Sequence, residues 1–250
     1  MSFPVHLVES LDGVAVGARV EVSGDEAHHA VAVRRLRVGE EVVLTDGLGH
    51  RVAGEVASTG KRVFEVLVTS ASLIPRPSPS FTVVQALPKG DRGELAVEVL
   101  TEVGVDTVVP WASARSVAVW KGERAAKSHA KWQATAREAG KQSRRTWLPT
   151  VTPLAATDDV VARLPSAALV VVLHEDATTA LASLDVPADG EIVVIVGPEG
   201  GITPDELAAF ETAGAVTVRL GSEVLRTSTA GLAAVSALLA RTARWASAPT

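Results

Sequence analysis

One stretch, Glu191–Trp245 (EIVVIVGPEGGITPDELAAFETAGAVTVRLGSEVLRTSTAGLAAVSALLARTARW), constrains the fold of this chain more than any other. The β-branched run Ile192–Val196 ends abruptly in Gly197-Pro198-Glu199-Gly200-Gly201, which reads as a buried strand feeding a glycine turn. A helix is predicted next. Thr203 suits the N-cap, Pro204 the first helical position and Glu206 the third, so a capping box and the proline preference agree. The helix should stop near Ala213, with Gly214 as its left-handed terminator. A second strand, Val216–Leu220, leads to a second glycine turn at Gly221 and a last helix over Ser228–Trp245. Two strand–loop–helix units in tandem place two glycine loops at one edge of a parallel sheet, where α/β proteins bind ligands. The second loop presents a single cation, Arg226, among small hydroxyls.

The 250 residues, 47% of them hydrophobic, suffice for one large core or two modest ones. With no cysteine, disulfides and cysteine-ligated zinc are excluded, and no metal site is expected. No apolar run has the length of a membrane span, and the N-terminus has no basic-then-apolar pattern, so the expectation is a cytoplasmic protein without membrane contact.

Residues 1–74 alternate with period two over Val42–Thr45, Arg51–Ala57 and Arg62–Val68, with turns at Asp46-Gly47 and Thr59-Gly60, as in a small β-barrel. A helix over Asp25–Arg35 interrupts it, with Ser23 as N-cap and Glu26 as capping-box partner. Adjacent histidines at 28 and 29 point to different sides of that helix, one to the core and one to solvent. Its basic end, Arg34, Arg35 and Arg37, suits RNA, which small barrels often bind. Three prolines within residues 75–80 form a stiff connection. From residue 81 to 250, strands and helices alternate: strand Phe81–Leu87, turn Pro88–Asp91, helix Arg92–Val103 with Leu95, Val99 and Leu100 inward, and strand Val105–Trp111. A long helix over Glu123–Ser143, a short one over Asp158–Leu164 and a strand over Ala168–Leu173 follow. This order predicts an α/β domain with a parallel sheet.

The net charge of −5 hides a strong asymmetry. Between Trp111 and Trp147 nine Lys and Arg stand against Glu123 and Glu138, so this segment carries +7 and the remainder −12. A local cationic surface on an acidic chain suits a polyanion bound at one place.

GPEGG with its capped helix, followed by L-G-x-x-x-L-R-T-x-T-A, resembles the C-terminal signature of the RsmE family of SPOUT-class RNA methyltransferases. The likeness extends in pieces to Asp25–Gly47, to Pro88-Lys89-Gly90 and to Arg137–Arg145. It implies a PUA-like RNA-binding barrel at the N-terminus, and a SPOUT domain whose parallel sheet carries a deep trefoil knot. Pattern alone would give an ordinary doubly wound sheet. The activity implied is transfer of a methyl group from S-adenosyl-L-methionine to N3 of a uridine in 16S rRNA of the small ribosomal subunit, by a homodimer. In the last helix, the small residues Ala230, Gly231, Ala233, Ala234, Ser236 and Ala237 would pack within the domain or, as the resemblance favours, across the dimer boundary.

By this resemblance the cofactor lies among three loops: Leu173 and His174; Gly197, Glu199 and Gly200; and Leu220, Gly221, Leu225 and Thr227. Glycines at 197, 200, 201 and 221 let the backbone approach the ligand, and His174 lines the loop. Uracil N3 reacts only once deprotonated, with charge on the ring oxygens, and a cation beside them acts like an oxyanion hole. Arg226 is the candidate for that role, with Thr227, Ser228 and Thr229 orienting it or capping the last helix. Lys89, Arg144 and Arg145, with Arg34, Arg35 and Arg37, are the candidate RNA contacts. Two positions depart from the family pattern: Lys141 and Ser228 stand where glutamate is common, so no general base is assigned. A ribose 2′-O-methyltransferase and a non-catalytic assembly factor are the alternative readings. A nicotinamide dehydrogenase is disfavoured, because no G-x-G-x-x-G follows the first strand of the sheet.

Overall fold

The computed structural model describes residues 3–246, which gather into two compact units. The first comprises the chain to Arg76 together with Gly140–Leu148, and the second comprises Pro77–Ala139 and the chain from Pro149 onward. From its prolines, the sequence places the change of unit at 75–80. Nothing in the local pattern of 140–148 announces that this segment packs with the N-terminal residues.

In the first unit, β1 (Val5–Leu7), β2 (Arg19–Ser23), β3 (Glu41–Thr45), β4 (His50–Thr59) and β5 (Val63–Leu73) form one sheet in the order β1-β3-β4-β5-β2. All pairs are antiparallel except β1 with β3. The period-two pattern has its expected result: Val52 and Val56 of β4 and Phe64, Val66 and Val68 of β5 are buried together with Val22, Val42 and Leu44. Register shifts at Ala53/Gly54 and Val56/Ser58 add local twist to the long β4–β5 pair. Residues 140–148 are bound into this unit by backbone bonds from Gly49 to Thr146 and from Leu148 to Gly47, both to the carbonyl oxygen. The indole of Trp147 donates to the Ile74 carbonyl at 2.8 Å, and the Arg76 guanidinium lies 4.4 Å from its ring centre. Any side chain at Gly49 would run into that ring, since a Cβ there would sit 2.5 Å from it.

The helix of this unit is shorter and differently capped than the pattern predicts. It runs as α1 over Gly24–His28 and continues as a π-type turn over His29–Val33. Ser23 occupies the N-cap but makes no side-chain capping bond. Glu26 is drawn elsewhere: its carboxylate lies 3.1 Å from His6 Nδ1 and accepts from Lys141 Nζ at 2.7 Å. Two partners distant in sequence outcompete one local backbone N–H. His28 and His29 are both exposed, so neither enters the core.

Burial alone would raise the Glu26 pKa, but the hydrogen bonds and charges of His6 and Lys141 outweigh it and hold it at about 2, against 4.5 for a free side chain. A depressed carboxylate pKa contributes stability that is fully present above about 4.5 and is lost as pH falls through about 2. Glu26→Gln should therefore flatten the acid limb of the stability curve in that window. Denaturant midpoints measured from pH 6 down to pH 2 check this, and an unchanged acid slope would refute it.

The second unit is built on six parallel strands: β6 (Ser80–Ala86), β7 (Thr107–Trp111), β8 (Thr150–Val151), β9 (Leu169–Leu173), β10 (Glu191–Val196) and β11 (Val216–Val218). Their order is β11-β9-β10-β6-β7-β8. The two central strands, β10 and β6, are buried along almost their whole length, which is why they read as unbroken apolar runs. One face of the sheet is covered by α2 (Arg92–Val103) and by α6 (Thr227–Leu239), through Val97, Leu100, Ala234, Val235 and Leu238. The other is covered by α4 (Thr157–Arg163) and by α5 (Pro204–Thr212), through Val160 and Phe210, the latter edge-on to Trp111.

Two expectations are corrected here. The inward face of α2 is Gly93, Ala96, Val97, Leu100 and Thr101, while Leu95 is 42% exposed. Small side chains serve because neighbours approach closely: a Cβ on Gly93 would meet the Trp132 ring at 2.8 Å. The last helix ends at Leu239 and a short α7 (Ala243–Ala246) follows. Arg241 donates to the Ala182 and Leu184 carbonyls, and Arg244 to Asp106 and the Gly104 and Pro79 carbonyls, so side-chain anchoring redirects the chain here. Of the small residues of α6, Ala230, Gly231 and Ala234 are buried in the unit, Gly231 against Leu100, Val196 and Val83, whereas Ala233 and Ser236 are half-buried and Ala237 is exposed.

Candidate functional site

At the carboxyl ends of β9, β10 and β11 the loops leave a cleft of about 450 Å³. Leu173, His174, Gly197, Glu199, Gly200, Leu220, Gly221, Leu225 and Thr227, the nine residues named from the sequence, all line it. So do others that were not named as ligands, among them Arg115, Ile202, Arg219 and Asp176. The walls are apolar side chains and glycine backbone. Around them stand the carboxylates of Glu175, Asp176, Glu199 and Glu223 and two guanidiniums, Arg115 and Arg219. Such a lining suits an uncharged ring system joined to a cationic centre.

The GPEGG loop is held by the helix that follows it. Thr203 caps α5 as its sequence predicts: its hydroxyl accepts the Glu206 N–H at 3.2 Å, and Glu206 accepts the Thr203 N–H at 3.0 Å. Glu206 is buried, and its second oxygen accepts the Ala114 N–H at 2.8 Å and the Thr157 hydroxyl at 3.3 Å. One carboxylate thus joins the helix cap to the loop after β7. That loop carries Arg115, which donates to the Gly200 carbonyl at 3.3 Å and faces the cleft. Arg115 appeared in the sequence only as one member of a basic segment. Its place four residues after Trp111, the end of β7, was the signal available.

The glycines are needed for reasons that differ from site to site. A Cβ at Gly197 would meet Ile202 at 2.7 Å, and one at Gly200 would meet Arg115 at 3.1 Å, so neighbouring protein groups exclude it there. At Gly201 the requirement is a φ of +76°. At Gly221 the nearest protein atom to a Cβ would be the Glu223 carboxylate at 3.5 Å, so no neighbouring protein group demands glycine there. Glu199 itself accepts the Lys89 N–H at 3.2 Å, tying the turn after β6 to the cleft, with Lys89 exposed. His174 Nδ1 accepts the Asp176 N–H at 3.2 Å, a contact that shapes its own loop.

Arg226 does not line the cleft. It is the N-cap residue of α6, its carbonyl accepting the N–H groups of Thr229 and Ala230, each at 2.9 Å. Its side chain is exposed and is without a hydrogen bond or ion pair among the described residues. The hydroxyls that follow do not cap the helix: Thr229 donates to the Arg226 carbonyl, and Ser228 is buried with its Oγ unpartnered. The buried Gln85, at the end of β6, donates to the Thr227 carbonyl at 3.3 Å and fixes the start of α6 from below.

The residues named for RNA are divided between the units. Arg34, Arg35, Arg37 and Arg144 are exposed in the first. Arg145 is partly committed, its Nε donating to the Trp147 carbonyl at 2.9 Å. Lys141 is engaged with Glu26 in an ion pair at 2.7 Å.

Residues 76–239 match the RNA methyltransferase domain family, and residues 22–68 match the RNA methyltransferase PUA domain. The chain belongs to the RNA methyltransferase family. It is 45% identical over 233 residues to ribosomal RNA small subunit methyltransferase E of Mycobacterium bovis, covering 92% of this chain and 89% of that one. The protein of the same name from Bacillus subtilis is 30% identical, covering 87% and 88%. The crystal structure of ribosomal RNA small subunit methyltransferase E from Neisseria gonorrhoeae bound to S-adenosyl methionine superposes with a TM-score of 0.87 at 29% identity, over 96% of this chain and 98% of that one. Within this RNA methyltransferase chain the matched domain spans every residue of the cleft.

Proposed function

We propose that this chain transfers a methyl group from S-adenosyl-L-methionine to N3 of a uridine in 16S rRNA of the small ribosomal subunit. The observation that carries the reading is the gathering of all nine sequence-named cofactor residues around one cleft of about 450 Å³, in a chain 45% identical to a named small-subunit rRNA methyltransferase. The bound donor would supply an activated methyl on a sulfonium centre. Leu173, Ile202, Leu220 and Leu225 offer apolar walls for the adenosine, and the glycine backbone offers donors and acceptors to its edges. The excess of carboxylates over guanidiniums favours the positively charged donor over its neutral product.

Arg226 stands between Leu225 and Thr227, which both line the cleft, and its guanidinium is uncommitted among the described residues. Beside a uracil it stabilises the negative charge that gathers on the ring oxygens as N3 loses its proton. Lys89, Arg34, Arg35, Arg37, Arg144 and Arg145 contact RNA phosphates in this reading, the first from the catalytic unit and the others from the PUA-bearing unit. The loops of the cleft cross in the trefoil knot that the family likeness implies. The active species is a homodimer, for which Val224, 77% exposed on the cleft loop, and Leu225, 41% exposed, supply apolar surface.

The test is incorporation of labelled methyl into small ribosomal subunits that lack the modification, followed by mapping of the product nucleotide. Label at N3 of one uridine is expected, whereas label on a ribose oxygen, or none at all, would overturn the reading. Light scattering at micromolar concentration should give twice the mass of the 25.9 kDa chain.

A further inference from the structure

Among the described residues only two other than glycine have a left-handed backbone, Arg35 with φ 58° and Arg144 with φ 59°. Both stand just past a helix end. The Leu36 N–H returns to the Ala30 carbonyl at 3.1 Å, and the Arg145 N–H returns to the Gly140 carbonyl at 2.9 Å. This is the terminating position where glycine is the default, because a Cβ is disfavoured there. Two other helices follow that rule, with Gly104 at φ 112° after α2 and Gly214 at φ 94° after α5. Only in the first unit is the terminator an arginine, and there it happens twice.

Both side chains are exposed and without a hydrogen bond or ion pair among the described residues. Neither, then, contributes a contact that would offset the backbone conformation. The helical segment that Arg35 ends and the last turn of α3 (Glu123–Gln142), which Arg144 ends, are joined by the Glu26–Lys141 pair at 2.7 Å. Exposed Arg34 and Arg37 flank the first of them. A left-handed backbone kept at exposed cations is an observation from which a binding role can be argued.

We propose that Arg35 and Arg144 form a two-point clamp for RNA phosphates, retained in place of glycine at the expense of stability. The inference rests on the RNA-modifying reading above and adds to it which cations hold the substrate and what they cost the fold. A purely structural role makes the opposite forecast: arginine at a helix C-terminus can stabilise through the helix dipole, and its loss would then lower the melting temperature.

The experiment compares the full chain with Arg35→Gly, Arg144→Gly and the double variant, with Arg35→Lys/Arg144→Lys as the charge-retaining control. Binding to a small-subunit rRNA fragment is measured by anisotropy across a salt series. Each glycine variant should melt at the wild-type temperature or up to about 4 °C higher. The double variant should lose on the order of tenfold in RNA affinity, with the slope of log affinity against log salt reduced by about 1.5. The lysine pair should keep most of that slope. A lower melting temperature in either glycine variant, or undiminished RNA binding in the double variant, overturns the clamp. Absence of RNA binding by the wild-type chain overturns instead the reading on which it rests.

Discussion

Arg226→Ala should cut methyl transfer by about 10²- to 10³-fold while leaving the melting temperature and the donor affinity unchanged. The side chain has no partner among the described residues, and the capping contribution of this position comes from its carbonyl, which alanine keeps. Nothing in the fold therefore resists the change. Arg226→Lys should recover only part of the rate, since an ammonium keeps the charge but not the planar, directed donors that a guanidinium aims at a ring oxygen. Single-turnover assays at saturating donor, with calorimetry for donor binding, separate the two effects. Arg115→Ala is the necessary comparison, because Arg115 is a guanidinium that does line the cleft. If Arg226→Ala retains full activity and Arg115→Ala loses it, the cation that activates the base is Arg115.

Glu206→Leu should have the largest effect on stability. The carboxylate is 6% exposed and accepts from two backbone N–H groups, of Thr203 and Ala114, and from the hydroxyls of Thr203 and Thr157. Removing it strands those donors in a region closed to water, a loss of about 3–5 kcal/mol. The melting temperature should fall by roughly 6–15 °C. Donor affinity should fall more than tenfold at a temperature where the variant is still folded, because the GPEGG loop and the Arg115 loop lose their common tie. Glu206→Gln, which keeps the shape and one good acceptor, should lie between the two. A Leu variant that melts like the wild type would show that water replaces the carboxylate.

The elements most legible from the residues alone were those whose determinants are close together in the chain. Thr203, Pro204 and Glu206 fall within four positions, and the helix they start is capped by the bonds their spacing predicts. The central strands announced themselves because burial on both faces leaves no polar position to blur the run. Glu26 shows the opposite case. Its spacing from Ser23 fits a capping box as well as that of Glu206 from Thr203, but Lys141 lies 115 residues further on and wins the carboxylate. Local spacing cannot register such a competitor. Leu95 was misplaced inward for a related reason: hydrophobicity favours it over Gly93 and Ala96, yet only small side chains fit under the Trp132 ring. At the cleft, glycine turns marked the loops after β10 and β11, whereas Arg115 has no glycine near it in sequence and enters through a hydrogen bond to Gly200 that is invisible in one dimension.

The inclusion of residues 140–148 in the first unit also bears on how this protein is made. A nascent chain that has emerged only as far as Arg76 lacks the strip that supplies Trp147 to Gly49 and Ile74. The N-terminal unit therefore cannot complete its packing until about twice that length has left the exit tunnel, and a fragment cut at the proline-rich connection should be less protected from proteases than the same residues in the whole chain. Supplying 140–148 through a short glycine linker should restore that protection.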